Sequence, residues 1–192
     1  MKNEFYILII LITFFSCTSR SGSPPAIHRI SSNSESKNVV RGKVIAIIDG
    51  DTYDLLINGN TTLRVRMEGI DAPEKGMPFY RVSKEYLSGL CFNKFVNLEI
   101  TGQNGNRELA YAYLDDGKEL SQEMLKAGLA WHFKKYNSDP ILAQLETEAK
   151  NLKKGLWQAN NPMPPWVNKS LHKQGISTKD SFVTVDNDNM NP

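Results

Sequence analysis

The segment TYDLLINGNTTLRVRMEGI, residues 52 to 70, contains the pattern that decides the fold. Its first part, Thr52 to Ile57, is rich in apolar and aromatic residues, and Thr61 to Ile70 alternates between apolar and polar side chains. Between them, Asn58-Gly59-Asn60 tolerates positive φ and is typical of a tight hairpin. The segment therefore predicts two antiparallel strands, the second with one apolar face.

The remaining patterns predict three more strands and three helices. The strands are Val40 to Ile48, Phe95 to Thr101 and Glu108 to Leu114. The helices are Tyr80 to Phe92, a second through Leu120, Met124 and Leu125 that ends at Gly128, and a third from Asp139-Pro140 to Gly155. Periodicity alone supports only an α+β domain with an antiparallel sheet, but five strands with helices after the third and fifth suggest a five-stranded OB-fold β-barrel with three α-helices.

Length and composition exclude several classes of protein. The chain has 192 residues, with 23 Lys and Arg against 21 Asp and Glu and a formal net charge of +2. This length allows one domain with tails, and the composition excludes collagen, coiled-coil and multispan membrane classes. Two cysteines exclude a disulfide-dense scaffold. Because the net charge is small, evidence for a nucleic-acid partner must come from local residues.

The first seventeen residues resemble an export signal. Phe5 to Phe15 is almost entirely apolar, follows Lys2, and is too short to span a bilayer stably. The run ends in FFSC, which resembles the lipobox of bacterial lipoproteins, so we expect residues 1–17 to be a signal peptide with lipidation at Cys17. The alternatives are an ordinary signal peptide cut near Ser16 and an uncleaved anchor. All three export the protein, as a cell-envelope lipoprotein attached to a membrane through Cys17 or as a secreted protein.

Polar segments flank the predicted domain. Residues 18–38 contain seven serines and two adjacent prolines, which is typical of a flexible tether. Residues 174–192 are rich in Asn, Asp, Ser and Thr and predict a disordered tail. Residues 39–173 are left as the folded domain. Within it, Cys91 lies in a helical pattern and is expected to be a small buried residue rather than a nucleophile.

Two short acidic motifs carry the candidate chemistry. Asp49-Gly50-Asp51-Thr52 lies at a strand junction, and Asp71-Ala72-Pro73-Glu74 follows the third predicted strand. Their carboxylates, hydroxyl and carbonyl, without a nearby Cys or His, suit Ca²⁺ or Mg²⁺ rather than zinc or copper. Each motif alone is more typical of a structural turn or a helix cap than of a catalytic site. Arg66 and Arg107 favour a phosphodiester site, because guanidinium groups match phosphate oxygens and a divalent cation offsets phosphate charge.

The order and spacing of these motifs resemble the staphylococcal nuclease family. The motifs are IDGDT at 48–52, RxxGIDAPE at 66–74 and RxLAY at 107–111, with supporting matches at 127–130 and 155–157. A chance match to all of them in this order is very improbable, although each alone is weak. The resemblance covers nearly all of residues 39 to 167. It implies an OB-fold barrel with three helices, a monomer, and Ca²⁺-dependent hydrolysis of DNA and RNA.

Carried over residue by residue, the resemblance implies a set of oxygen ligands for Ca²⁺. Asp51 and Asp71 become the carboxylate ligands, and the carbonyl of Ala72 becomes a backbone ligand. Asp49 and Thr52 are implied to act through water molecules. A shell that is partly filled by water leaves room for a phosphate and a nucleophile.

The same resemblance implies three residues that act on the substrate. Glu74 becomes the general base that positions or deprotonates the attacking water, and Arg66 and Arg107 hold the scissile phosphate. Water then attacks phosphorus, the bond to the 5′ oxygen breaks, and 3′-phosphate products remain. At Gly105 the sequence departs from the family pattern, because some relatives carry there a tyrosine that contacts a terminal phosphate. Substrate affinity and preference for ends are therefore left open.

Other residues have competing interpretations. Trp131 is expected to pack on the barrel, whereas Tyr136 is compatible with either packing or stacking on bases. Lys134-Lys135 can contact phosphate, although exposed lysine pairs are usually only a solvated face. Trp157 and Trp166, with neighbouring prolines, indicate a terminal segment strapped onto the barrel. The alternative function is a non-catalytic nuclease-like module that binds nucleic acid or protein, but such modules typically lose the carboxylates and arginines that are present here.

Overall fold

Residues 39–178 are described by a computed structural model of the chain. The predicted signal peptide, its Cys17 and the predicted tether before residue 39 lie outside the described residues, as does the predicted tail from residue 179 onward. Within residues 39–178, no helix has the length and apolar character needed to cross a membrane.

Five strands close into a barrel, and two shorter ones pair beside it. The strands are β1 (Val39–Ile47), β2 (Thr52–Ile57), β3 (Thr61–Met67), β4 (Ile70–Asp71), β5 (Phe95–Asn104), β6 (Arg107–Leu114) and β7 (Trp131–His132). Around the barrel the order is β1-β2-β3-β6-β5, and β5 pairs back onto β1. All barrel neighbours are antiparallel except β3 and β6, which run parallel. The short strands β4 and β7 form a separate antiparallel pair.

Alternation along the strands fills the barrel with apolar side chains. Tyr53 and Leu55 of β2 are fully buried, as are Val65 of β3 and Ala110 and Ala112 of β6. The residues between them face outward, because successive side chains of a strand point to opposite faces. The outward face can therefore hold polar side chains, and the candidate site residues of β3 and β6 lie on it.

The described residues, 39–178, also form four α-helices and one short 3₁₀ helix. They are α1 (Tyr80–Cys91), α2 (Leu120–Lys126), α3 (Pro140–Asn151) and α4 (Pro165–Lys173), with the 3₁₀ helix at Gly155–Gln158. The predicted start of α3 is confirmed, because the Asp139 carboxylate accepts a hydrogen bond from the Ile141 N–H and Pro140 occupies the first turn. Glu119 caps α2 by accepting from the N–H groups of Ser121 and Gln122.

The predicted α+β barrel is confirmed, but the prediction of three helices is wrong by one. The fourth helix, α4, lies in the segment that we expected to be strapped onto the barrel. It contains only nine residues and begins after Pro164 with Pro165 in its first turn. Proline is a helix breaker in most positions but is tolerated at a helix start, so the proline-rich composition conceals the helix. The strapping itself is confirmed, because the ring of Trp166 stacks on Phe133 at 5.1 Å between centroids.

The predicted third strand, Thr61 to Ile70, is interrupted in the structure. Gly69 has φ of 76°, which ends the extended run after Met67 and lets Ile70–Asp71 turn away to pair with β7. Elsewhere Cys91 is buried as expected, and burial raises the pKa of its thiol to about 12. Trp131 is also buried and packs edge to face on Trp157, which confirms the packing interpretation.

Candidate active site

The Asp49–Thr52 segment forms the tight connection between β1 and β2. The N–H of Ile48 donates to the carbonyl of Thr52, and the N–H of Asp51 donates to Asp49 Oδ1 at 3.0 Å. Gly50 is required by close packing, since a Cβ there would lie 1.9 Å from Ser83 Oγ of α1. Helix α1 therefore packs closely against this connection.

The second acidic motif reaches the same place through the short strand β4. Pairing of Asp71 with Trp131 of β7 anchors the segment, and the N–H of Ala72 donates to Asp51 Oδ2 at 2.6 Å. Asp51 Oδ1 accepts a second hydrogen bond from the Thr52 hydroxyl at 2.9 Å. The two motifs, separated along the chain by β2, β3 and the hairpin between them, are thus joined by a direct backbone-to-side-chain contact.

The guanidinium of Arg66 lies between the two aspartates. Its Nη1 forms an ion pair with Asp51 Oδ2, and its Nη2 donates to Asp71 Oδ1 at 2.7 Å. Arg66 is only 9% exposed, Asp51 4% and Asp71 3%. One buried positive charge is therefore shared by two buried carboxylates, and we call these three residues the catalytic cluster.

Burial shifts the pKa values of several charged groups at this site. Burial raises the pKa of Asp71, although Arg66 and Lys169 oppose it, and burial also raises the pKa of nearby Asp49 against the attraction of Arg66. Burial likewise lowers the pKa of Arg66. All three shifts have the same cause, the loss of water around charged groups. A further cation beside the carboxylates would stabilise their ionised forms.

Glu74 lies at the edge of the catalytic cluster and is more accessible than the two aspartates. Its side chain is 38% exposed, and its Oε1 lies 2.7 Å from Lys169 Nζ of α4. The same ammonium lies 3.9 Å from Asp71 Oδ1. The role of Lys169 was not predicted from the sequence. The one pattern that indicates it is its helical spacing after Trp166, and this spacing is informative only once α4 is recognised as a helix.

Arg107 lies at the start of β6, on the strand next to Arg66. Because Arg66 is paired in register with Leu109, and side chains two residues apart share a face, both arginines lie on the outer face of the barrel. Arg107 is half-buried and acts electrostatically on Asp49 and Arg66. Within residues 39–178, its guanidinium forms no hydrogen bond or ion pair. It is therefore available to bind an anion.

The donor set of the catalytic cluster fits a hard cation. Asp51 and Asp71 share one guanidinium, which brings their carboxylates close together, and oxygen is the donor that both supply. In the described part of the chain, no three side chains of His, Cys, Asp or Glu form a group that could hold a metal. An ion at this position would therefore need backbone and water oxygens in addition to the two carboxylates.

The structure brings together most of the residues singled out in the sequence. Asp51, Asp71, Arg66 and the Ala72 backbone make direct contacts, and Thr52 contacts Asp51. The remaining four lie around them: Asp49 bonds the Asp51 N–H, Glu74 follows the β4 segment, Arg107 lies on the next strand, and Gly105 lies in the turn between β5 and β6. Gly105 has φ of 66°, and a Cβ there would meet nothing within 4 Å. That end of the site is open.

Comparison with known proteins places this geometry in a family context. The family model described as "Staphylococcal nuclease homologue" matches residues 64–159. Its match includes Arg66, Asp71, Glu74 and Arg107 and ends before α4.

Several individual proteins are similar over most of their length. A protein of Haemophilus influenzae named "Uncharacterized endonuclease" is 41% identical over 137 residues, which cover 71% of this chain and 75% of that protein. One with the same name from Escherichia coli O157:H7 is 36% identical over 129 residues, covering 67% and 84%. The "Micrococcal nuclease" of Shigella flexneri is 34% identical over 137 residues, covering 66% and 78%.

Proposed function

This chain belongs to the family of staphylococcal nuclease homologues, and from that premise we propose that it is a Ca²⁺-dependent nuclease that hydrolyses DNA, RNA or both. The nuclease names of its relatives support the reaction class. The observation that carries the proposal is the catalytic cluster, in which Asp51 and Asp71 share the guanidinium of Arg66 in a buried setting. Two carboxylates beside phosphate-binding arginines are suited to phosphodiester chemistry.

Asp51, Asp71 and the Ala72 carbonyl would hold the Ca²⁺ ion, with Asp49 and Thr52 acting through water. The fit rests on the convergence of the Asp51 and Asp71 oxygens with the Ala72 backbone. Burial raises the pKa of Asp49 and of Asp71, so a neighbouring cation would favour their ionised forms. When bound, the ion supplies positive charge that offsets the negative charge of the scissile phosphate. The ligands themselves are held by the fold, because Gly50 packs on α1 and the Ala72 N–H bonds Asp51.

Arg66 and Arg107 would bind the scissile phosphate. Arg66 is held in place by two carboxylates, so its orientation is fixed before substrate arrives. Arg107 has no competing anion among the described residues and lies on the same outer face. Negative charge builds on the equatorial phosphate oxygens in the transition state, and two guanidinium groups already in position stabilise it without reorganisation.

Glu74 would act as the general base. Its carboxylate is accessible to water, unlike those of Asp51 and Asp71, and Lys169 holds one of its oxygens. Glu74 takes a proton from water as the water oxygen attacks phosphorus, the bond to the 5′ oxygen breaks, and the departing 5′ oxygen takes up a proton from solvent. The products are a 3′-phosphate and a free 5′-hydroxyl.

The test uses the purified full chain with single-stranded DNA, duplex DNA and RNA. We expect cleavage with Ca²⁺, loss of cleavage with EGTA, and restoration when Ca²⁺ is added back. End-group analysis should find 3′-phosphates. Binding of nucleic acid without cleavage under any Ca²⁺ condition would contradict the nuclease proposal and favour the alternative, a non-catalytic module at the cell envelope.

We also propose that the protein is exported and attached to a membrane through acylated Cys17. The support is the lipobox-like FFSC sequence that ends at Cys17. Mass spectrometry of the mature N-terminus should find a lipid on Cys17. A mature protein that begins at an unmodified serine or threonine would instead indicate secretion.

A further inference from the structure

A basic groove runs between α4 and the segment that follows β7. It has a volume of about 890 Å³. One wall is the face of α4 that carries Trp166, Lys169 and Lys173, and the other contains Lys135 and Tyr136. We call this feature the α4 groove.

The face of α4 is defined by helical spacing. Residues 166, 169 and 173 are three and four positions apart, so they lie on one side of the helix. The helix is held against the rest of the domain by the stacking of Trp166 on Phe133 and by the ion pair between Lys169 and Glu74. The lysines of α4 are therefore presented by an ordered wall.

The α4 groove is positively charged. Its lining includes five lysines and a single carboxylate, Glu146. That carboxylate is already bound by Lys134 and Lys150, at 2.7 and 3.0 Å. Lys135 and Lys173 form no ion pair within residues 39–178. These two ammonium groups are available to an anionic ligand.

The groove and the catalytic cluster are linked by one shared side chain, that of Lys169. Lys169 is part of the groove wall, and the same Nζ contacts Glu74 and approaches Asp71. A polymer with its scissile phosphate near Arg66 can therefore continue past Lys169 into the groove. Most of the α4 wall lies beyond residue 159, where the family match ends.

We propose that the α4 groove binds a single-stranded stretch of the nucleic-acid substrate next to the scissile phosphate. This inference rests on the proposed nuclease function. Lysines at intervals along a wall match successive phosphates, and exposed aromatic rings give bases a sequence-tolerant surface for stacking. Tyr136 is 69% exposed, and the Lys135 ammonium lies over its ring at 5.3 Å. Charge and an aromatic surface are thus combined at one point of the groove.

The test compares two double variants of the full chain that lose equal charge. Lys135→Ala with Lys173→Ala removes two groove lysines, whereas Lys153→Ala with Lys154→Ala removes two exposed lysines that do not line the groove. Fluorescence anisotropy with EGTA present measures the binding of a labelled single strand of about 16 nucleotides. Cleavage of a dinucleotide and of the long strand is measured separately with Ca²⁺.

We expect the groove variant to bind the long strand about tenfold more weakly, and its salt slope to fall by about 1.4, because each phosphate contact in a single strand contributes about 0.7. The control variant should keep the wild-type affinity, and both variants should cleave the dinucleotide at the wild-type rate. Tyr136→Ala should also weaken binding of the long strand without changing dinucleotide cleavage.

Three results would overturn the inference. If the groove variant cleaves both substrates at the wild-type rate and binds the long strand with the wild-type affinity, nucleic acid does not enter the groove. An equal loss of affinity for duplex would refute single-strand binding. Loss of binding to anionic phosphatidylserine vesicles, with oligonucleotide binding unchanged, would assign the groove to a membrane surface. Failure of the wild type to cleave either substrate would instead refute the nuclease function and leave the binding result standing.

Discussion

Lys169 Nζ of α4 lies 2.7 Å from Glu74 Oε1, so the last helix of the domain contacts the residue proposed as general base. The lysine side chain is 48% exposed. An exposed ion pair contributes at most about 1 kcal/mol to stability. The ion pair restricts the orientation of the Glu74 carboxylate, and under the proposed mechanism that carboxylate must point toward the attacking water.

Replacement of Lys169 by methionine should lower kcat/KM on single-stranded DNA about three- to tenfold. The reason is that Glu74 loses its positioning partner, and the corresponding barrier change is about 1 kcal/mol. Lys169→Arg, which keeps the charge, should retain most of the activity. Steady-state kinetics measures the effect, and an unchanged or higher rate for the methionine variant would contradict the positioning role.

Replacement of Arg107 by alanine should lower the rate of cleavage by about 10³- to 10⁵-fold, because a guanidinium that stabilises phosphoryl-transfer charge contributes that much. Stability should change by no more than about 0.5 kcal/mol, since Arg107 forms no hydrogen bond or ion pair within residues 39–178. Arg64→Ala is the control. Arg64 lies on β3 and pairs with Asp54 on the exposed surface, so its loss should leave activity within a few-fold of wild type. Equal effects of the two substitutions would refute the assigned role.

Calcium should raise the thermal midpoint of the wild type by several degrees at saturating concentration, and EGTA should reverse the shift. A ligand at 100 times its Kd stabilises the folded state by about 2.7 kcal/mol. Asp51→Asn should abolish the calcium-induced shift, because it removes a carboxylate ligand from the catalytic cluster. Asp54→Asn, three residues along on β2, should preserve it. Differential scanning fluorimetry measures the thermal midpoint of the wild type and of both variants, each with Ca²⁺ and with EGTA. A calcium-induced shift that survives in Asp51→Asn would place the ion elsewhere.

Glu146 should make stability depend on pH in the acid range. Its side chain is buried in α3, accepts a hydrogen bond from the backbone N–H of His132 at 3.1 Å, and forms ion pairs with Lys134 and Lys150. Burial alone would raise its pKa, but the two lysines outweigh burial and hold the pKa below its usual value. A carboxyl with a lowered folded-state pKa stabilises the protein above its unfolded pKa of about 4.3, and this contribution is lost as pH falls through the folded pKa.

The Glu146→Gln variant should therefore be less stable than wild type by about 1–3 kcal/mol at pH 7, which is the range for hydrogen bonds to charged groups. The difference should shrink below pH 4, where the wild-type carboxyl takes up its proton. Urea unfolding at several pH values measures it. Glu148→Gln, exposed on the same helix, serves as the control and should follow the wild type throughout. A constant difference at all pH values would contradict the electrostatic explanation.

The sequence predicted the parts of the fold that depend on local patterns. The Asn58-Gly59-Asn60 hairpin and the alternation along β3 are local signals, and both are present. Closure of the barrel between β1 and β5 joins distant residues and has no local signature. The pair formed by β4 and β7 was missed because each strand has only two residues, too few for a periodic pattern.

In the candidate site, too, the residues marked by local sequence motifs were predicted, and a contact between distant segments was not. Asp51, Asp71 and Arg66 stood out because their spacing matches a family pattern, and the structure joins them in one buried cluster. Lys169 lies in a proline-rich segment that follows the last predicted helix, so neither its helix nor its contact with Glu74 was foreseeable. A contact between two exposed side chains on distant segments depends on how the last helix docks, which only tertiary packing decides.

The position of α4 at the end of the described chain has a consequence for variation among related proteins. The catalytic cluster is assembled from the β1–β2 connection, β3 and β4, whereas α4 supplies one wall of the groove and the ammonium beside Glu74. If α4 binds substrate as proposed, insertions, deletions or charge changes in this helix would alter how much of the polymer is bound while the residues of the barrel stay the same. Natural selection could then adjust the length of substrate that is bound by changing one helix.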